Sequence, residues 1–530
     1  MNDDNRVRIK FDDKLATIRK QLPKLLGIIE NGFDEKTYGF IFFSESVTRI
    51  VSVHKIESAY TSLDRGIVMR LVHHGRNFET ATNSLDPKSL ENTARSLNNL
   101  ARKDTNQIGD FPFWKPRQWK NEDISNLDPD ISCQISANAD SSTEVHFSPL
   151  VSVHPLEASI AKIKELAKDL RNKIIARDID YCKIRGIEPL ANVYVTMRVQ
   201  FDTHIFADRA KNMSQSLPVV MAMIMSQTVK GRIGRTSIGG LGGFETIDFT
   251  ESEFFKTVDL PHIIDVANLL EPGTYPVITG PTVTGVFAHE AFGHTMESDT
   301  VRQGRSVYSS FAGKRVGNDH ATILNNPGIF AMADKPYGPN GSYYFDHEGE
   351  LAREQVILDR GMLGSPMTDL LSSIHLGIGR SANGKRESWR RPTLSRQTNT
   401  YFSAGDKTLD ELISFVKGRG FLTTEHHGGM EDPKGAHLTA GADYFEEIVD
   451  GKLTGRYFIG PKGGHIELTG YVPDLLNGIV AKSKLDYAPH VHPLSRNPLN
   501  KSGGCGKYHK ELVKAGSGGP YILWSAVTCG

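Results

Sequence analysis

Cysteine is scarce in this sequence: Cys133, Cys182, Cys505 and Cys529 are the only four in 530 residues, and no two have CxxC spacing. That argues against a disulfide scaffold and for a reducing compartment. Net charge is missing as well, with 62 Lys+Arg against 62 Asp+Glu. A protein living on phosphate contacts would show a basic surplus or stripe, so nucleic acid is not an expected partner. Nor is there an apolar run long enough to cross a bilayer. The opening MNDDNRVRIKFDDKLATIRKQL carries acidic residues where a signal peptide would carry a basic stretch and an apolar run. There is no internal repeat and no low-complexity tract. A cytoplasmic globular protein with no membrane association is the expectation.

What is present is enough apolar residue, 38%, to fill real cores, in a chain long enough for two or three domains. The first half alternates helix and strand signals. Leu15, Ile18, Leu22, Leu25 and Ile29 mark an amphipathic helix that Pro23 should bend. Residues 38–54 and 66–74 read as strands. Asp86-Pro87 opens a helix with Leu90, Ala94, Leu97 and Ala101 on one face. A longer helix is expected over 156–176. NVYVTMRVQF (192–201) alternates strictly, as a half-buried strand does, and 218–226 suits its antiparallel partner. GRIGRTSIGGLGGFE (231–245) lacks a dinucleotide or phosphate-loop pattern and reads as loop or irregular strand near a domain junction. A short helix at 261–270 follows. Beyond it the chain is rich in Gly, Pro and short β-prone stretches, with helices expected at 283–297, 409–418 and 473–483. The fold class is therefore α+β: an N-terminal mixed domain, 1–255, then a β-rich, barrel-like C-terminal domain, 256–530, carrying the helix of chemical interest.

That helix lies in YPVITGPTVTGVFAHEAFGHTMESD (275–299), which contains His289, Glu290 and His294. Imidazole nitrogens suit zinc, and a catalytic zinc uses three protein ligands and leaves a position open. A neighbouring carboxylate can serve as general base. Histidines five apart stand about 140° from each other on a regular helix, against about 40° for the usual four. Both can reach one ion only through a π-bulge, or if the helix ends near Gly293, where glycine eases the distortion. The bland alternative is two core or surface histidines beside an exposed glutamate.

HEAFGHTMESD closely resembles the metal-binding signature of the TldD/PmbA family, modulators of peptide maturation that are HExxxH metalloproteases. Further blocks resemble that family in the same order. They are GIVMRLVHHGRNFETATNSLD (66–86), DHEGELAREQVILDRGMLGSPMTD (346–369), LSRQTNTYFSAGDKTLDELI (394–413) and GGCGKYHKELVKAGSGGPYI (503–522). The resemblance implies a third metal ligand, Cys505 of the CGK motif, with zinc the expected ion and iron the alternative. It implies the metal-bearing TldD branch, since metal-free relatives have lost HExxxH. It also implies an enclosed site that admits an extended peptide, and assembly as a homodimer or as a heterodimer with a metal-free relative. Two departures concern the substrate pocket: YHKELVKAGSGG after CGK, and His437 where an aromatic is more usual.

Other polar residues have two readings each. Glu297 and Asp299 suit either orientation of a metal-bound imidazole or simple solvation, and solvation is the preferred reading. Asp346 and Glu348 suit either substrate contact or a turn built on Gly349. Arg396 and Asn399 suit anchorage of a peptide backbone or carboxylate, and His426 and His427 are not read as ligands. The expected function is metal-dependent hydrolysis of peptide bonds in unfolded or flexible polypeptides, with Glu290 moving the proton. Two rivals stand: a non-cleaving binding or scaffold subunit, and a different metal enzyme with a carboxylate such as Glu297 as third ligand.

Overall fold

The computed structural model describes residues 6–104, 129–137, 144–331, 337–484, 494–498, 504–507 and 510–530. The first half is built on long antiparallel strands: β1 (Tyr38–Val53), β2 (Ser58–His73), β3 (Arg76–Thr82), β4 (Glu144–Phe147), β5 (Asn192–Ala207), β6 (Asn212–Gln227) and β7 (Ile233–Leu241). They pair in the order β3-β2-β1-β5-β6-β4, with β7 also on β6 and only β4 running parallel to its neighbour. The β5–β6 register sets Phe201 opposite Pro218, as the alternating pattern expects. Helices α1 (Ala16–Glu30) and α2 (Pro87–Lys103) cover one region of this sheet through Leu22, Ile29, Leu90 and Leu97. Asp86 caps α2 by accepting from Ser89 N at 2.9 Å.

Two elements differ from expectation here. Helix α3 runs Ile160–Arg185, nine residues past its expected end, from a Ser159 cap to Gly186 in the left-handed conformation (φ 64°). Its buried face continues through Asp178, Tyr181 and Cys182, which an apolar count does not register. Within the glycine-rich stretch, 233–241 form strand β7, paired along its length with β6. Its Gly239 has φ 116°, and a Cβ there would lie 2.1 Å from the Val220 carbonyl oxygen. The glycines let two backbones meet.

The second half is β-rich, but its strands form open sheets and not the barrel expected. The larger sheet includes β8 (Gly273–Thr279), β10 (Arg419–Thr423), β11 (His426–Asp432), β12 (His437–Ala442), β13 (Phe445–Val449), β14 (Lys452–Ile459), β15 (Ile466–Tyr471), β16 (Ile479–Lys482) and β19 (Ile522–Cys529). Its path runs from Asn268–Leu269 through β10-β8-β19-β15-β12 to β11, which is its last strand. The second sheet holds β9 (Asn399–Phe402) beside β18 (Gly516–Gly518), with β17 (Leu494–Pro498) on the latter. Helix α5 (Pro281–Glu290) contacts β9 and β18 on one side and β11 and β12 on the other. All ten of its residues are buried, so it has no polar face. Gly285 allows the close fit: a Cβ there would lie 2.7 Å from Gly518 N.

The helix expected over 283–297 stops at Glu290, and that over 473–483 is a short helix, Val472–Asn477, then a strand, Ile479–Lys482, on β19. The two halves share a core containing Phe40, Phe147 and Phe206 with Tyr344, Phe345 and Leu370. Among the described residues, no helix is long and apolar enough to cross a membrane.

Candidate metal centre

The end of α5 solves the spacing problem of the two histidines. The helix closes at Glu290, Ala291 N returns to the Phe287 carbonyl at 2.7 Å, and Phe292 turns the chain with φ 65°. An aromatic residue in that region is strained by about 1–3 kcal/mol. The ring offsets this by being fully buried, edge-on to Phe311 at 5.5 Å between centroids. Gly293 contributes space: a Cβ there would lie 1.9 Å from the His289 carbonyl oxygen. The result is neither a regular helix nor a π-bulge, and the rings of His289 and His294 stand 4.8 Å apart.

Cys505 comes to them from the strand Cys505–Lys507. Its Sγ is 3.2 Å from His289 Nε2 and 3.5 Å from His294 Nε2. The preceding Gly504, at φ 120°, lets the strand pass within contact of the Val513 carbonyl. Glu290 lies alongside, its Oε2 3.9 Å from His294 Nε2. That oxygen is buried without a hydrogen-bond partner, as is His289 Nδ1.

These side chains shift one another's ionisation. Burial opposes a thiolate at Cys505, but His294, His289 and Arg396 outweigh it and hold the thiol well below its ordinary range. Burial likewise opposes charge on His294, and Cys505 and Glu297 reverse that, raising it well above the usual imidazole. Burial pushes Glu290 up, against the two histidines. A soft thiolate beside two imidazoles is a donor set that fits zinc or iron, and the unpaired Glu290 oxygen faces the same cluster.

Glu297 and Asp299 are not solvated. Glu297 is fully buried, and its Oε2 is 3.1 Å from His294 Nδ1, the ring nitrogen turned away from Cys505. Lys507 Nζ lies 2.9 Å from Glu297 and 2.6 Å from Asp299. Although burial opposes it, Lys507, His294 and Arg396 hold Glu297 well below the carboxylate range. Burial pushes Asp299 up to about 6, against Lys507. Arg396 is also fully buried, with Nε 3.3 Å from Glu297 and a terminal nitrogen donating to the Cys505 carbonyl at 2.8 Å. It is committed to this scaffold and has no free face for a peptide.

The cluster opens onto a cavity of about 880 Å³, bordered also by Arg235, Arg305, His427 and Met430. One wall is β11, whose far edge carries no strand among the described residues. At Gly429 a Cβ would lie 2.4 Å from Val286 Cγ1 and 3.2 Å from Glu290 Cγ, so the bare backbone of β11 backs directly onto the glutamate.

Residues 272–530 match the family described as PmbA/TldA metallopeptidase C-terminal domain. Residues 272–530 thus belong to the TldD/PmbA family. It is 28% identical over 293 residues to a Methanothermobacter thermautotrophicus protein named metalloprotease, covering 55% of this chain and 58% of that one. It is 31% identical over 250 residues to a zinc metalloprotease TldD homolog of Saccharolobus solfataricus, covering 47% and 50%. The chain thus spans less than two thirds of the length of these relatives. The fold resembles TldE of Thermococcus kodakarensis with a TM-score of 0.63 at 13% identity, covering 96% of this chain and 99% of that one. A Thermotoga maritima protein aligns with a TM-score of 0.65 at 16% identity, covering 96% and 100%. At those identities the likeness is one of fold.

The DHEG block lies away from the cluster. Asp346 accepts from the backbone N–H groups of Glu348, Glu350 and Gly384, each at 2.9 Å, and Glu348 pairs with Arg70 of β2. Gly349, at φ 74°, packs against Phe206, so the DHEG segment is a turn locking the two halves together. Asn399 donates to the Asn326 carbonyl at 2.8 Å and Ser342 Oγ at 2.9 Å. His426 and His427 border the cavity, and His427 Nδ1 is 2.8 Å from Asp443.

Two residues beside the cluster escape a sequence reading. Glu431 of β11 accepts from His294 N at 2.7 Å and from Thr295 N at 3.2 Å, and burial pushes it up to about 8. Gln397 donates to the His289 carbonyl at 3.1 Å. Neither lies in a metal-type motif. The tertiary fold brings β11 and the segment just before β9 to the end of α5.

Proposed function

We propose that this chain is a metal-dependent peptidase of the TldD type, with His289, His294 and Cys505 as metal ligands and Glu290 as general base. The observation that carries the reading is the meeting of those three donor atoms beside an unpaired, buried Glu290 oxygen on the wall of a large cavity. The family membership and the relatives named metalloprotease support it, and the zinc metalloprotease homolog favours zinc over iron.

A divalent metal held there would polarise the scissile carbonyl and lower the pKa of water. The chain's own residues do the rest. Glu290, raised by burial, takes a proton from the attacking water and returns it to the leaving amine. Glu297 holds the His294 ring through Nδ1, which leaves Nε2 directed at Cys505. Arg396 holds both Glu297 and the Cys505 backbone.

The open edge of β11 beside Glu290 suits main-chain pairing with an extended polypeptide, which favours unfolded or flexible substrates with broad sequence tolerance. A Glu297-ligated site is disfavoured because that carboxylate contacts the outward nitrogen of His294 and is committed to Lys507. We further read 1–255 and 256–530 as the two domains, the protein as cytoplasmic, and its assembly as a homodimer or a heterodimer with a metal-free relative.

The test is cleavage of an unstructured peptide by zinc-loaded protein and by Glu290→Ala. The proposal expects turnover lost in the variant with zinc retained. Metal binding with no turnover by the wild-type chain on any flexible peptide would instead indicate a binding subunit.

A further inference from the structure

A second cluster of ligand-type side chains shares no residue with the first. Asp178 and Cys182 are four residues apart on α3, which places them on one face of the helix. His262 reaches them from the short helix α4 (Leu260–Ile264). Immediately before α4 the chain makes a π-helical turn, Phe255–Asp259. Such turns re-aim the residues that follow, and they gather at functional sites.

The three groups converge closely. His262 Nε2 is 2.8 Å from Asp178 Oδ1, and Cys182 Sγ is 3.4 Å from each of those atoms. In a tetrahedral site with bonds of about 2.0–2.3 Å, ligand atoms stand about 3.3–3.8 Å apart. Two of the three separations already match, and the third requires an opening of about half an ångström. The cluster at α5, with 3.2 and 3.5 Å, is built to the same scale.

The surroundings also suit an ion. Asp178, Cys182 and His262 are 2%, 1% and 7% exposed, so water does not compete for them. Leu190 N donates to Asp178 Oδ2 at 2.7 Å, which occupies one carboxylate oxygen and leaves the other directed at the cysteine and histidine. The Tyr181 ring stacks on His262 at 5.6 Å. A fourth donor is within reach, since the Glu188 carbonyl oxygen lies 3.6 Å from Cys182 Sγ.

We infer that Asp178, Cys182 and His262 form a second, structural metal site of zinc type. It ties α3 to the 251–264 segment that leads into the metal-bearing half of the chain. Such a site is closed and serves folding, not catalysis. It is independent of the proposed peptidase centre, and either can fail without the other.

The experiment is metal analysis of zinc-loaded full-length protein in which His294→Ala and Cys505→Ala remove the first cluster. The inference expects about one zinc per chain in that background. It expects the metal to be lost on adding His262→Ala or the near-isosteric Cys182→Ser, with folding followed by circular dichroism. Cobalt loading of the same background should give a thiolate-to-cobalt absorption band that Cys182→Ser abolishes. No metal in the background protein, or metal unaffected by Cys182→Ser in a folded chain, would overturn the inference and leave a hydrogen-bonded core triad.

Discussion

On the proposed reading, Glu290 and Glu297 divide the work at the residue scale, and each makes a separable prediction. Glu290 Oε2 has no hydrogen-bond partner, so Glu290→Gln should leave metal content unchanged. The same change should lower kcat by about 10²–10⁴-fold, as removal of a general base does. Glu297 acts through His294. Glu297→Gln should weaken metal affinity by about 10–100-fold, measured by competition with a chelator, and excess zinc should restore turnover. Activity lost at saturating metal would instead give Glu297 a direct part in the reaction. HExxxH was legible in the sequence because residue types and spacing carry it. The partners were not, because Glu431, Gln397 and Lys507 are ordinary polar residues until the fold brings them beside the cluster.

At the scale of the element, the end of α5 is where the sequence reading came closest. It required the helix to bulge or end near Gly293, and the helix ends at Glu290 with the positive φ at Phe292. Sequence patterns favour glycine for such a conformation, whereas here the burial of Phe292 offsets the strain and Gly293 supplies clearance. Gly293→Ala should therefore press on the His289 carbonyl and displace Gln397. We expect a loss of about 1–3 kcal/mol in stability with weakened metal binding, read by thermal melts with and without zinc. An unchanged melt and full affinity would mean the turn relaxes freely. The long strands and α1 to α2 were legible because their apolar periodicity is strong. The far end of α3 was not, because Asp178 and Cys182 continue its buried face with polar atoms.

Across the whole molecule, a buried charge network joins the halves. Glu79 of β3 is held by Arg70 of β2 and by Arg386 from the second half, the latter at 2.9 Å. Burial raises Glu79, and the two guanidinium groups outweigh that to bring it down to about 2. A depressed folded-state value gives stability that is complete above the unfolded value near 4.5 and is lost as pH falls from there through about 2. The shift corresponds to about 3 kcal/mol. Glu79→Gln should therefore lower stability near pH 7, and the difference from wild type should shrink steadily between about pH 5 and pH 2. A difference that does not change with pH in urea melts would refute the linkage. The open sheets of the second half were not legible, since short Gly- and Pro-rich strands look alike whether a sheet closes or not.

The most direct test of the central claim is the zinc or iron content of wild-type protein beside Cys505→Ala, measured after identical metal loading. If His289, His294 and Cys505 hold the metal together, the variant carries about one metal fewer per chain and no longer cleaves a flexible peptide. Equal metal in the two proteins would remove Cys505 from the site and contradict the account.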